Sequence, residues 1–560
     1  FGTIIAVPGA IGSMIAGIGA PGLPTGSVGF VNLIALAAIV AMSIWTAPLG
    51  AAAAHKLDPV KLKRVFGVYL LLTAAIGLWF VKGQNDLDEY FLAGRSMGSV
   101  VVSMTILAAL FSGITFIAGP GESYLNGPLF YLVNVGFFLA TPLTTIVFLR
   151  LYYNPRFFTA YQYLEERFSG PVRTVAAASF ILRVLLWLAA ATYAPALALE
   201  QVTGMPLWFT ILCTGVVTTI YTTFGGMRAV IWTDVMQLIV LFGGMLLIMA
   251  VAIGRVPGGL AQVVDHTLQS GRLDLSLSLD PTVRITLWSL VIGSAFMHLV
   301  QMATDQVSVQ RYLTATSLRT AQRGLWLKLW LVLPVTAVFY GTGAVLHAFY
   351  SVHGDPLAAG KIAKADQILP YFVINELPSG LPGLFIAAIY AASMSTISAG
   401  INSLTSSSLI DFHRRLWPRA DLSDRAQLRL ARILTFSYGV VVIALAFLVE
   451  RLGTLLEATN KVISLVGGPL IGLFLLGMIS ARTTARGALI GCATGFLATL
   501  WIAFGTKVSF LWWAATGASV TFAVGYLASL FEAPPSDHQL DGLTWSRRPA
   551  RTETGARNTP

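Results

Sequence analysis

The chain has 560 residues, of which 56% are hydrophobic and only 11% charged, with a formal net charge of +11. A soluble globular domain carries about 25% charged residues, so this chain has too few charges to cover a water-facing surface, and a mean hydropathy of +0.75 agrees. Apolar runs of about 20 residues are long enough to cross a bilayer as helices. They do not alternate with polar residues, which excludes a membrane barrel.

In chain order the apolar segments fall at 3–20, 28–52, 62–83, 99–118, 128–150, 174–200, 206–224 and 229–253. They continue at 285–303, 324–350, 380–409, 433–450, 462–480, 487–505 and 509–531. Most predict spanning helices. The first is Gly-rich and is expected to be broken or re-entrant. The tail at 532–560, with Pro534, Pro535 and Pro549, predicts a disordered polar end. The chain starts at Phe1 without a signal-peptide n-region, as expected of a sequence missing its N-terminal end. Cys213 and Cys492 both lie in apolar runs and predict small buried side chains.

From residue 84 onward, alternate loops are basic. They hold Arg150, Arg156, Arg167 and Arg173; Arg228; Arg311, Arg319 and Arg323; Arg414 to Arg432; and Arg482 and Arg486. These predict the cytoplasmic side. A topology signal therefore accounts for the positive charge, and no nucleic-acid partner is expected. The pattern fails around 62–83, where Lys56, Lys61, Lys63 and Arg64 precede the helix and Lys82 and Arg95 follow it. One crossing cannot put both flanks inside, so the chain changes identity near 70–85.

Six strings in order carry a resemblance. They are DEYFLAGRSMG at 88–98, YQYLEERFSGPVR at 161–173, YAPALALEQVTG at 193–204, GGMRAVIWTDVMQ at 225–237, DQVSVQRYL at 305–313 and AAIYAASMSTISAGINS at 387–403. Over about 83–531 the chain resembles the sodium/solute symporter family, most closely its monocarboxylate, vitamin and iodide branch. Residues 1–80, with GAIGSMIAGIGAPGLPTGSVGFVN and WTAPLGAAAAHKLDPVKLKR, resemble the C-terminal part of the TauE/SafE anion-exporter family. That piece is assigned no independent activity.

The resemblance implies an all-α integral membrane fold. It would have two five-helix repeats of inverted topology, over 99–253 and 285–480, plus extra N-terminal transmembrane helices. Such folds bind ion and substrate at the midplane, where the first helix of each repeat is interrupted; Gly113 and Gly293 are the expected break points. It further implies a sodium site from the carbonyls of Ala108, Phe111 and Ala392 with the hydroxyls of Ser395 and Thr396. Ala392 and Thr396, four apart, share a helix face. The competing reading is that such hydroxyls back-bond to carbonyls one turn earlier, as expected for Ser393, Ser398 and Ser403.

Asp234 lies inside an apolar run, where an acid is costly and usually functional. The resemblance puts it on the sodium route; the alternative is a structural ion pair with Arg228 or another base. Thr115, Asn134, His298, Gln301 and Asn460 are the expected substrate contacts. Arg183 is expected to face either a carboxylate substrate or a protein acid. Leu110 and Asn134 stand where sugar symporters hold hydroxyls, which disfavours sugar.

The function expected is sodium-coupled symport of a small organic solute, most simply a monocarboxylate, by alternating access. Vitamin uptake, or a symporter-like sensor or channel, are the alternatives. No HExxH, GxSxG or His/Cys cluster supports an enzyme, and no cofactor or metal beyond sodium is expected. The expected location is a bacterial inner (plasma) membrane.

Overall fold

The computed structural model describes residues 86–153, 157–203, 205–377, 381–416, 423–449 and 455–547, with Ser27–Val28, Val31–Asn32, Ala75 and Trp79 besides. The chain divides into two compact units, 1–65 with 378–383, and 66–377 with 384–560. In the first, Ser27–Val28 pairs antiparallel with Val31–Asn32. Nearly all the other residues of 1–80, and with them the anion-exporter reading, lie outside the described residues. Everything below concerns the second unit.

That unit is helical. A short helix α1 (Leu87–Leu92) leads to α2 (Ser99–Leu110) and α3 (Gly113–Asn126). Then follow α4 (Pro128–Tyr152), α5 (Ala160–Arg167), α6 (Gly170–Thr203), α7 (Leu207–Arg255) and α8 (Gly259–Gln269). The second half runs α9 (Ser289–Thr304), α10 (Gln306–Leu313), α11 (Leu318–His353), α12 (Ile368–Glu376), α13 (Pro382–Leu416), α14 (Asp424–Ala446) and α15 (Leu455–Ile479). A final pair, α16 (Ala485–Gly505) and α17 (Phe510–Ser529), follows. Among the described residues eight helices are long and apolar enough to cross a membrane, or nine if the bent pair α2–α3 counts as one.

At about 1.5 Å per residue, the 49 residues of α7 would reach about 74 Å, far beyond a hydrocarbon core of about 30 Å. The helix is interrupted at Gly226, whose φ of 55° and ψ of −161° favour glycine. One long helix is thus two crossings, matching the separate apolar runs at 206–224 and 229–253.

The fold is the five-plus-five arrangement, with one repeat from α2 to α7 and the second from α9 to α15. Each opens on an interrupted helix. The first interruption is at Phe111 and Ser112, both extended, and α2 and α3 meet at 66°. Ser112 caps α3 by accepting from the Thr115 N–H at 3.4 Å. Gly113 is the first residue of α3 rather than the break. Its lack of a side chain serves packing, because a Cβ there would stand 2.1 Å from Ser393 Oγ of α13.

The second interruption corrects the sequence expectation. Gly293 is helical (φ −59°, ψ −46°) and packs where a Cβ would lie 2.5 Å from the Leu511 carbonyl. The chain breaks twelve residues later, at Asp305 (φ −85°, ψ 117°), between α9 and α10. An N-cap sets this break: the Asp305 carboxylate accepts from the Val307 N–H at 3.0 Å.

The Ser/Thr-rich α13 is the most enclosed span, its apolar window 94% buried against 28% for α14. A polar helix at the centre, wrapped by apolar ones, is the inside-out order that lipid demands. Several arginines of the basic turns are held in ion pairs. Arg228 meets Glu89 at 3.1 Å, Arg173 meets Asp411 at 2.7 Å, and Arg415 meets Glu165 at 2.9 Å.

Two expectations about charged and polar ends change. Arg167, Arg173 and Arg311, counted as loop charges, are buried. The tail is ordered through residue 547, where Trp545 N–H donates to the Met478 carbonyl at 2.7 Å. Leu543 carbonyl also accepts from Tyr163 at 2.9 Å, and Gln539 donates to the Phe168 carbonyl at 3.0 Å. Leu540 and Thr544 are buried by these contacts. The rest of the predicted disordered end, 548–560, lies outside the described residues.

Candidate functional site

The last turn of any helix leaves carbonyls without an N–H donor four residues on. Because Phe111 turns extended, the carbonyls ending α2, Ala108 among them, project into the break beside α13. Ala108, Phe111, Ala392, Ser395 and Thr396 are all buried. Two contacts fix α13 against this break: Ser393 beside Gly113 above, and below it a network that joins Ser395 to Thr105 of α2.

The hydroxyls of α13 then separate by partner. Ser398 donates to the Ser395 carbonyl at 3.0 Å, Ser403 to Ala399 at 2.9 Å and Thr405 to Ile401 at 2.9 Å. This is the back-bonding expected of ordinary helix hydroxyls. Ser393 departs from its expectation: its Oγ, like Thr396 Oγ1, is buried without a hydrogen-bond partner among the described residues. An orphaned buried hydroxyl costs about 1–3 kcal/mol unless something absent from the protein itself satisfies it. A small cation held by oxygen ligands is such a partner.

Asp234 on α7 is fully buried, and its ion pair is with Arg311 of α10, not Arg228. Its Oδ2 accepts from Arg311 at 2.8 Å and from the Thr105 hydroxyl at 2.5 Å; its Oδ1 accepts from the Ser395 hydroxyl at 2.7 Å. The other Arg311 nitrogens donate to Thr105 Oγ1 at 3.0 Å, the Thr105 carbonyl at 3.2 Å and the Val307 carbonyl at 2.8 Å. The network ties α2, α7, α10 and α13 together. Ser395 spends its proton on Asp234, which leaves its oxygen lone pairs to point elsewhere. The geometry thus makes Asp234 the holder of the Ser395 hydroxyl.

A cavity of about 80 Å³ opens where the two helix breaks meet. Thr115, Gln301, Arg183, Asp305, Trp187 and Ser112 are among its lining residues. Thr115 and Gln301, two of the expected substrate contacts, are among them. Asn134 and His298 are not. Asn134 donates to the Tyr131 carbonyl at 2.7 Å and to Thr336 Oγ1 at 3.1 Å, stitching α4 to α11. His298 stacks on Phe137 at 3.5 Å and bonds the Val133 carbonyl at 3.0 Å. Each is engaged by a neighbouring helix, as buried polar groups usually are. The Asn460 side chain lies outside the described residues.

Arg183 meets the protein acid that the sequence reading allowed, and still lines the cavity. Its Nη2 lies 2.7 Å from Asp305 Oδ2. Sequence reasoning passed over Asp305 as a site residue, although an Asp that ends an apolar run and starts a helix is an N-cap signal. It also missed Lys328, fully buried in α11, whose Nζ sits 3.3 Å over the Phe137 ring with no carboxylate partner among the described residues. The lone Lys in LWLKLWLVLP was its only signal.

Comparisons with known proteins identify the family. The model of the sodium:solute symporter family matches residues 90–495. The chain is 35% identical over 456 residues to the sodium-dependent multivitamin transporter of Oryctolagus cuniculus, spanning 80% of this chain and 70% of that protein. It is 34% identical over 455 residues to sodium-coupled monocarboxylate transporter 1 of Homo sapiens, spanning 79% and 73%. A substrate-bound, outward-open sodium-coupled sialic acid symporter superposes with a TM-score of 0.77 at 29% identity, covering 85% of this chain and 98% of that one. These relatives are transporters, not enzymes. The match begins at residue 90, so the anion-exporter likeness of 1–80 gains no support from it. The chain belongs to the sodium:solute symporter family, as a multi-pass membrane protein built on that family's fold.

Proposed function

We propose that the chain is a sodium-coupled symporter of small organic monocarboxylates working by alternating access. The observation that carries the reading is the orphaned Thr396 hydroxyl beside the carbonyls freed by the first helix break. In this reading Ala108, Phe111, Ala392, Ser395 and Thr396 hold the ion, and Asp234 positions Ser395. Thr115 and Gln301 face the solute in the adjoining cavity. The substrate class comes from the relatives, one named for monocarboxylates and one for vitamins. A cavity of about 80 Å³ admits a carboxylate-sized group; a vitamin requires α3, α9 and α10 to part further.

In a plasma membrane with sodium high outside, ion binding at the break stabilises the state in which the cavity is built, and downhill release drives accumulation. The test is uptake of labelled propionate, pyruvate, lactate, pantothenate and biotin into proteoliposomes under an inward sodium gradient. A matched potassium gradient serves as control. The reading expects accumulation of at least one of these under sodium and none under potassium. Equal uptake with either cation, without accumulation, fits a channel and contradicts it.

A further inference from the structure

We propose that Arg183 is the residue that captures the substrate carboxylate, and that Asp305 sets how strongly that capture depends on sodium. The inference rests on the symporter reading above and deepens it.

Arg183 is the thirteenth residue after Gly170, about 20 Å along α6 at about 1.5 Å per residue. A guanidinium there is 2% exposed, in a place where an unneeded charge is selected against. Its one ionic contact among the described residues is Asp305, 6% exposed, at 2.7 Å. The contact is a poorly directed one: neither Nη2 nor Nε of Arg183 makes a proper hydrogen bond, and both are buried. A guanidinium is a fixed planar fork suited to bidentate carboxylate binding. Here it has been carried into the interior with donors left over, and it lines the cavity between the two helix breaks.

The rest of the cavity fits an anion with a short apolar body. Ser112 caps the fourteen-residue α3, so the positive end of that helix faces the break. Trp187 lies one turn beyond Arg183 on α6, and Leu110, Ile114 and Ile463 supply apolar wall. Asp305 already uses Oδ1 to cap α10. It is held in place by that bond and cannot swing away as a free side chain would. The substrate carboxylate therefore binds alongside Asp305, on the open edge of the guanidinium.

Charge balance then gives Asp305 its role. Arg183 and Asp305 together are neutral. A carboxylate added to a neutral, water-poor cavity is repelled by Asp305 as much as it is attracted by Arg183, and binds poorly. A sodium ion at the nearby break restores neutrality: one sodium and one guanidinium against two carboxylates. Sodium dependence of anion binding is thus built into the pair, and the coupling is reciprocal.

The experiment uses the purified full-length chain and reads thermal stabilisation by sodium alone, and by propionate, pyruvate, lactate, pantothenate and biotin with and without sodium. Proteoliposome uptake of whichever carboxylates bind, set against their uncharged amides, accompanies it. Arg183→Gln should keep the sodium response and weaken carboxylate binding at least tenfold. Asp305→Asn should bind the same carboxylate at sodium concentrations at least tenfold lower than wild type needs. Arg183→Gln/Asp305→Asn removes both charges together, so folding is spared, and it should still fail to bind the carboxylate.

A double variant that regains wild-type carboxylate uptake overturns the inference, since the pair would then be purely structural. So does an Asp305→Asn protein with unchanged sodium dependence, or a wild type that responds to sodium but binds none of the carboxylates. The last result leaves the sodium site standing. A wild type with no sodium response at all removes instead the symporter reading on which the inference rests.

Discussion

Two buried arginine–aspartate pairs flank the same short helix, α10, and they differ in how their hydrogen bonds are spent. Arg311 and Asp234 form a closed set: three nitrogens of the arginine are directed at acceptors, and both carboxylate oxygens are engaged by Thr105, Ser395 and Arg311 itself. Arg183 and Asp305 touch at a similar distance, 2.7 Å against 2.8 Å, but two arginine nitrogens stay undirected and a cavity lies beside them. A closed network holds helices in register. An open one in the same low-dielectric interior waits for a ligand. Distance alone does not tell the two apart; the unspent donors do.

The largest effect that sharpens the contrast is on stability. Arg311→Gln strands Asp234 with no water to hydrate it, and breaking a buried pair this way costs about 3–5 kcal/mol. Thermal unfolding in detergent should show a much larger loss for Arg311→Gln than for Arg183→Gln, where the cavity lets water reach Asp305. Equal losses would mean that both pairs are structural. Next comes the contact that presses α13 onto the first break. Gly113→Ala puts a Cβ 2.1 Å from Ser393 Oγ, and overpacking of this kind costs about 1–3 kcal/mol. Ser393→Ala removes an unpartnered hydroxyl and leaves the Ser393 Cβ at 3.5 Å from the new methyl. Gly113→Ala/Ser393→Ala should therefore recover most of the stability lost by Gly113→Ala, and a double variant no better than the single would show that the clash is not the cause. The smallest effect is at the surface, where Arg255 and Glu376 pair at 3.1 Å with side chains 41% and 30% exposed. Exposed pairs contribute about 0–1 kcal/mol, so Arg255→Gln should leave unfolding nearly unchanged.

The same contrast shows what was legible in the sequence. Most spans from residue 99 onward, the first helix break and the Ser/Thr-rich character of α13 follow from composition and local pattern, and the structure shows them. Whether a polar side chain faces the cavity does not follow from these. Asn134 and His298 sit in apolar helices as Thr115 and Gln301 do, yet a carbonyl or hydroxyl on a neighbouring helix claims the first two. Arg311 reads as a loop charge because α10 is only eight residues long and follows a break; its burial depends on Asp234, 77 residues away. The second break was sought at a glycine, but capping chemistry at Asp305 sets it. Residues 532–547 have the composition of a free tail, and contacts to Met478, Phe168, Tyr163 and Arg482 order them. Except at Asp305, whose cap is local, the deciding partner lies far away in sequence.

The central claim is that the first helix break and Thr396 form the sodium site. The most direct test is a sodium titration of carboxylate uptake in proteoliposomes, wild type against Thr396→Ala. The substitution removes a hydroxyl that bonds nothing among the described residues, so folding should be nearly unaffected. The sodium concentration for half-maximal uptake should rise several-fold, and the loss should shrink as sodium approaches saturation. A Thr396→Ala protein with the wild-type sodium dependence would contradict the site.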